Sequence, residues 1–246
     1  MSLITKIALS PLLVAQALLT RRRMPRLPEP LGPRQGVCGA EDAPPLRLLV
    51  AGDSSAAGVG VVAQKQALAA QLAQQLSTTC GARVHWQLLA RSGLTTAQTL
   101  HLLQRESPMR ADVAVICSGV NDVVEQVPSH RAVAAREALA NRLRNAHGAL
   151  HVVFAPLPPV HRFPGLPQPL RWVAGADALR HNRALRRWAA TRDDVSFVDT
   201  DMPLDASAMA SDGFHPGEPV YRFLAGRIAQ HIATEVWPHF PTERTP

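Results

Sequence analysis

Residues 46–58 read LRLLVAGDSSAAG: an apolar run, then a glycine, a carboxylate, two serines and a set of small residues. A short apolar run that ends in turn residues reads as a strand buried on both faces. The small side chains of Ala56, Ala57 and Gly58 let the chain turn tightly into a helix. A strand followed at once by a helix opens a βαβ unit, so this stretch predicts a parallel sheet.

The alternation continues to the carboxyl terminus. Further strands are predicted at 83–89 (RVHWQLL), 112–117 (DVAVIC), 150–155 (LHVVFA) and 195–199 (VSFVD), after the first at 46–51. Between them lie segments of helical period. Leu68, Leu72 and Leu76 form one stripe that stops at Gly81; Leu139 and Leu143 belong to a helix with Ser129 as its cap and Gly148 at its end. Leu224, Ile228 and Ile232 line a last helix introduced by Pro219. Five strands and intervening helices predict an α/β fold, a three-layer α/β/α sandwich with a five-stranded parallel sheet.

In such a sheet ligands bind beyond the carboxyl ends of the strands. The residues there are Gly52, Asp53 and Ser54 after the first strand, Ser92 and Gly93 after the second, and Gly119 to Asp122 after the third. Strand-to-helix turns use such residues for backbone reasons too, so each set alone has a purely structural reading.

Together these segments resemble the sequence blocks of the SGNH (GDSL-type) hydrolase family. The blocks are GDSSAAG at 52–58, RSGLTT at 91–96, GVND at 119–122, and Asp212-Gly213-Phe214-His215 near the carboxyl terminus. All four occur in the family's order across residues 46–236. The resemblance implies a flavodoxin-like three-layer fold, an esterase or lipase type of activity, and no metal or organic cofactor. Two positions depart from the strictest family form: Ser55, where leucine is common, and Ser92 ahead of Gly93.

Ester hydrolysis needs an activated oxygen nucleophile, a base, a group that orients the base, and donors for the developing oxyanion. Ser54 is the expected nucleophile, and an N-cap serine is its structural alternative. His215 is the expected base, because imidazole titrates near neutral pH; otherwise it is a loop histidine. Asp212, three residues earlier, is placed to hold the imidazole tautomer, with Asp199 and Asp201 as rival orienters. The resemblance implies the backbone N–H groups of Ser54 and Gly93 and the side-chain amide of Asn121 as oxyanion donors. Gly93 also suits close backbone approach to a ligand, and Asn121 has an alternative as a plain turn residue. Asp53 reads as structural support for neighbouring loops.

The loop at 156–175 follows the fourth predicted strand and should overhang the site. Leu157, Phe163 and Trp172 are expected substrate contacts on an apolar wall that also includes Val160 and Leu166, with Arg162 and Arg171 available to an anionic group. The expected substrate is a small-molecule carboxylic ester of short or medium acyl chain. A carbohydrate O-deacetylase, an acyltransferase on the same site, and a non-catalytic membrane-surface module are the alternatives.

Composition adds limits. The 246 residues are 46% apolar, enough for one catalytic domain, expected at 46–246. A net charge of +7 invites nucleic acid, but aromatics are 4% and the basic residues are scattered, so no nucleic-acid partner is expected. Cys38, Cys80 and Cys117 form no disulfide framework, and no cysteine or histidine spacing reads as a metal site.

Residues 1–23 predict an apolar or amphipathic helix, and the Pro- and Gly-rich residues 24–45 a linker. The apolar stretch 7–19 is shorter than the roughly 20 residues of a spanning helix. Residues 3–23 are therefore expected to dock on the domain or make peripheral membrane contact, in a cytoplasmic protein. The alternative is export, with Ala15 and Ala17 as a small-x-small cleavage site; Arg21, Arg22 and Arg23 just downstream oppose it.

Overall fold

The computed structural model describes residues 3–200, 202, 204–205 and 207–240. The sheet is built on β2 (Pro45–Gly52), β3 (Arg83–Ala90), β4 (Val113–Cys117), β5 (His151–Phe154) and β6 (Val195–Phe197). These five strands pair in parallel in the order β3-β2-β4-β5-β6. The order reverses direction at β2, which makes the gap between the ends of β2 and β4 the topological switch point.

The sheet has six strands, not the expected five. Residues 35–38, inside the stretch read as a linker, form β1 (Gln35–Cys38), which pairs antiparallel with β3 at the sheet edge. Four residues that include a glycine and alternate between exposed and half-buried carry no strand period long enough to read.

Side chains of β2 alternate between two cores. Leu46, Leu48 and Val50 join one cluster with α3 (Leu68–Thr79) and α8 (Glu218–His231). Leu49 and Ala51 join the other, with Leu103 of α4 (Thr96–Glu106), Leu139 and Leu143 of α6 (Ser129–His147), and Leu185 of α7 (Leu170–Ala189). Two cores on opposite faces of one sheet are the three-layer arrangement. Every residue of β4 is buried, as expected for the central run VAVIC. Leu68, Leu72 and Leu76 are buried along α3 as their spacing requires.

Gly52 closes β2 where the sheet is tightest. Its neighbours in register are Ala90 and Cys117, and a Cβ at this position would stand 1.9 Å from the Cys117 carbonyl oxygen. Glycine lets the ends of β2 and β4 meet, and Asp53 N–H then donates to that same carbonyl at 3.1 Å. A short helix α2 (Ser54–Ala57) follows, with Asp53 as its N-cap and Gly58 in the left-handed conformation at its end. On the β4 side, α5 (Val120–Val124) starts at the matching height.

The amino-terminal helix α1 (Leu3–Arg23) rests on α7. Among the described residues, no helix is long and apolar enough to cross a membrane.

Candidate active site

Ser54 is the first residue of α2, directly after β2, and its N–H is one of the first-turn amides that a helix leaves without an internal partner. His215 reaches it from the far end of the chain: Nε2 lies 3.1 Å from Ser54 Oγ. On the other side of the ring, Nδ1 lies 2.6 Å from Asp212 Oδ2. A carboxylate can only accept, so Nδ1 carries the ring proton and Nε2 is left to accept from the serine hydroxyl. The structure thus joins Ser54, His215 and Asp212 in one hydrogen-bonded line.

Asp212 spends its second oxygen on the backbone. Oδ1 accepts from the N–H groups of Phe214 and His215, both at 2.9 Å, which closes the turn that carries the histidine. Burial works to raise the Asp212 carboxyl, but hydrogen bonds from the His215 ring and from the two amides outweigh it and hold the group below the usual carboxylate range.

The turn is clamped from three sides. Gly217 N–H donates to Ala208 O and Ala210 N–H to His215 O, at 2.8 and 2.9 Å. Gly165 N–H donates to Gly213 O at 2.9 Å, and Gly213 sits at φ +61 where a Cβ would press on the Gly165 backbone. Phe214 packs edge-on against both His215 and Phe163.

Asp199, the rival orienter, is exposed and paired with Arg186. Asp201 lies outside the described residues.

The three expected oxyanion donors are placed unequally. Ser54 and Asn121 line the same cleft. Asn121 Nδ2 donates to Leu94 O at 3.1 Å and lies 3.5 Å from Asp53 Oδ2, a contact too long to hold its second N–H firmly. Gly93 is not among the residues lining that cleft; it adopts φ +84, and a Cβ there would meet no atom within 4 Å.

Beneath these donors runs a buried polar frame. Asp53 accepts from Ser55 N–H at 2.9 Å and from Gly119 N–H, joining the turn after β2 to the turn after β4. Burial pushes its carboxyl up to about 6 against the pull of those amides. Asp122 accepts from Thr96 N–H and Oγ1 at 2.9 and 2.6 Å and faces Arg136 at 3.5 Å. Arg136, only 1% exposed, donates to Ser118 O at 3.3 Å under the same turn.

The sequence reading missed two contributors. Glu29, in the stretch read as linker, accepts from Ser92 N–H and Oγ, both at 2.8 Å, while Arg34 pairs with it at 2.9 Å. It pins the loop that presents Gly93. Arg136 lies on a helix face, where a basic residue looks solvated, and no spacing announces it.

The cleft over Ser54 measures about 410 Å3 with its open mouth included. Its wall is Phe163, Met202, Leu204, Met209, Phe214 and Val220. An adjoining cleft shares Val120, Pro158 and Met202 and extends to Leu157 and Leu224.

Of the expected wall residues, Phe163 lines the first cleft and Leu157 the second. Trp172 lines neither: it sits in the first turn of α7 and is 47% exposed, so its assignment as a substrate contact is corrected. Val160 and Leu166 are packed into the core, and Arg162 and Arg171 donate to the carbonyls of Met202 and Phe163. Half of the wall comes from Met202, Leu204 and Met209, whose apolar character shortly ahead of Asp212 was the available signal.

The arrangement can move a proton from a serine hydroxyl to an imidazole beside an apolar cleft. The family model described as GDSL-like lipase/acylhydrolase matches residues 50–223, a span that contains every block described above. The chain belongs to this family. It is a hydrolase that acts on ester bonds.

Solved structures agree on the fold. A lipase from a goat rumen metagenome is 19% identical, with 77% of this chain and 98% of that one covered and a TM-score of 0.62. A carbohydrate esterase family 2 enzyme with its carbohydrate binding domain, from Corynascus thermopiles (Myceliophthora fergusii), is 14% identical, covering 84% and 68%, at 0.60. A psychrotrophic esterase from Pseudoalteromonas sp., inhibited by monoethylphosphonate, is 17% identical, covering 76% and 96%, at 0.55. The search of curated proteins finds no match.

Among the described residues, no group of three or more histidine, cysteine, aspartate or glutamate side chains is arranged to hold a metal ion.

Proposed function

We propose that this hydrolase cleaves carboxylic esters of short or medium acyl chain, with Ser54 as nucleophile, His215 as general base and acid, and Asp212 as the orienting carboxylate. The observation that carries the reading is the line from Ser54 Oγ through His215 to Asp212, at 3.1 and 2.6 Å, opening into an apolar cleft.

His215 Nε2 takes the Ser54 proton as Oγ attacks the ester carbonyl carbon, and the imidazolium is stabilised by the Asp212 carboxylate. The carbonyl electrons move onto oxygen. That oxyanion is met by the N–H groups of Ser54 and Gly93 and by the amide of Asn121, whose loosely held N–H turns toward it. His215 then gives its proton to the departing alkoxide oxygen, leaving an acyl-Ser54 ester. Water, deprotonated by the same nitrogen, attacks this ester; collapse returns the proton to Ser54 and releases the acid.

The apolar wall of Met202, Leu204, Met209 and Phe163 supports an acyl chain better than a sugar, which would call for more hydrogen-bonding groups. The reading is tested by hydrolysis of p-nitrophenyl esters from acetate to palmitate. Activity that peaks at a short or medium chain supports it. Activity on acetylated sugars alone would favour the O-deacetylase, and a shift of product toward new esters when alcohols are added would favour acyl transfer.

A further inference from the structure

Helix α1 leaves much of its apolar surface turned away from the domain. On the side toward the domain Leu9 and Leu13 are half-buried, and two polar residues tether the helix: Lys6 pairs with Asp177 of α7 and donates to Gln126 Oε1 at 3.0 Å. Gln16 donates to Gln168 O at 2.6 Å and accepts from Leu170 N–H at 3.1 Å. Most of the residues it turns outward are apolar. Ile7, Leu12, Val14, Leu18 and Leu19 are between 47% and 63% exposed.

From Ile7 to Thr20 the helix carries no charged residue. A docked helix ordinarily buries its apolar stripe and shows polar residues to water. Here two half-buried leucines, hydrogen bonds and one ion pair hold the helix on the protein while a second apolar set faces away, and an exposed apolar patch of this kind marks an interaction surface.

Charge identifies the partner. The apolar face ends in Arg21, Arg22 and Arg23, all exposed, followed by exposed Arg26. An apolar face bordered by arginines matches the interface of a bilayer that contains anionic lipids, with side chains among the acyl chains and guanidinium groups at phosphates.

The tethers also set the orientation. Gln16 is fixed where α7 begins, after the loop that contributes Phe163 to the cleft, and Glu29 is fixed to Ser92 beside Gly93. The basic end of α1 therefore lies between two anchors, each on a loop next to the site.

We propose that the outward face of α1, with Arg21 to Arg23 at its end, docks the enzyme on anionic membrane surfaces, site edge toward the bilayer. Docking does not depend on the reaction assigned to Ser54.

The test is co-sedimentation of the full chain with vesicles of phosphatidylcholine alone and of roughly 3:1 phosphatidylcholine and phosphatidylglycerol. Wild type and Ser54→Ala should both pellet with the anionic vesicles, and less as salt rises. Leu12→Gln with Leu18→Gln, both at exposed positions, should lower the partition at least about tenfold. Replacing Arg21, Arg22 and Arg23 by Gln should remove the preference for anionic vesicles. Circular dichroism and thermal melting confirm that each variant is folded. Failure of folded wild type to pellet at low salt overturns the proposal, as does pelleting that the leucine substitutions leave unchanged. A dimer that those substitutions dissociate, without vesicle binding, would give the face to a second copy instead.

Discussion

Replacing Asp212 by asparagine changes one atom and should disable the site without unfolding it. Asp212 Oδ1 accepts from two backbone amides and Oδ2 faces His215 Nδ1. Asparagine has one acceptor oxygen. Turned toward the ring, that oxygen would leave the NH2 group against both amide N–H groups, two unmade buried bonds at about 1–3 kcal/mol each. Turned toward the amides, it keeps both bonds and presents NH2 to Nδ1, so the second orientation wins. Nδ1 must then accept, and the ring proton moves to Nε2, 3.1 Å from Ser54 Oγ. An imidazole in that tautomer cannot take the serine proton.

In serine hydrolases the wrong tautomer costs about ten-thousandfold in kcat, or about 5 kcal/mol of barrier. The assay is kcat and KM on the best p-nitrophenyl ester beside a thermal melt. Asp212→Asn should lose kcat by roughly that factor, keep KM within a few-fold and melt within a few degrees of wild type. A folded variant that retains activity within about tenfold would refute the assignment of Asp212 as the orienter.

Gly52→Ala places a Cβ 1.9 Å from the Cys117 carbonyl oxygen between two central strands. It should cost more than about 4 kcal/mol, a drop of roughly 10 °C or more in a melt, or yield no soluble protein. Burial raises Asp53 to about 6, so the fold favours its neutral form: this contribution is fully present below the unfolded value near 3.8 and is lost as pH rises through about 6. Urea midpoints at about pH 4 and about pH 7 should show wild type losing up to about 3 kcal/mol relative to Asp53→Asn, and equal pH dependence would contradict the assigned burial. Met209→Trp narrows the apolar wall and should lower kcat/KM for octanoate at least about tenfold while acetate changes by only a few-fold; a uniform loss would place Met209 outside the acyl path.

The sequence announces what depends on local pattern. The central run at 113–117 is apolar throughout because both faces are covered, and the four blocks stand out because chemistry and tight turns fix their residue types. What depends on long-range contact stays hidden. The strand at 35–38 exists only because β3 offers a free edge, and its four residues have no period. Glu29 belongs to the site solely through Ser92, 63 positions later. Arg136 looks like any basic helix residue until the turn at Ser118 and Gly119 closes over it. Trp172 failed as a wall residue because the loop it was assigned to is already helix by residue 170, and the helix turns it outward. The outward apolar face of α1 is equally invisible, since composition gives an amphipathic helix but not which side docks.

The central claim is that Ser54 is a nucleophile activated by His215. A fluorophosphonate probe tests it without any knowledge of the substrate, because it needs only an activated serine and an oxyanion site. Folded wild type should acquire one adduct, located by peptide mass at Ser54; Ser54→Ala should acquire none, and His215→Ala should be labelled at least about a hundredfold more slowly. An adduct elsewhere, or no labelling of folded wild type, would contradict the account.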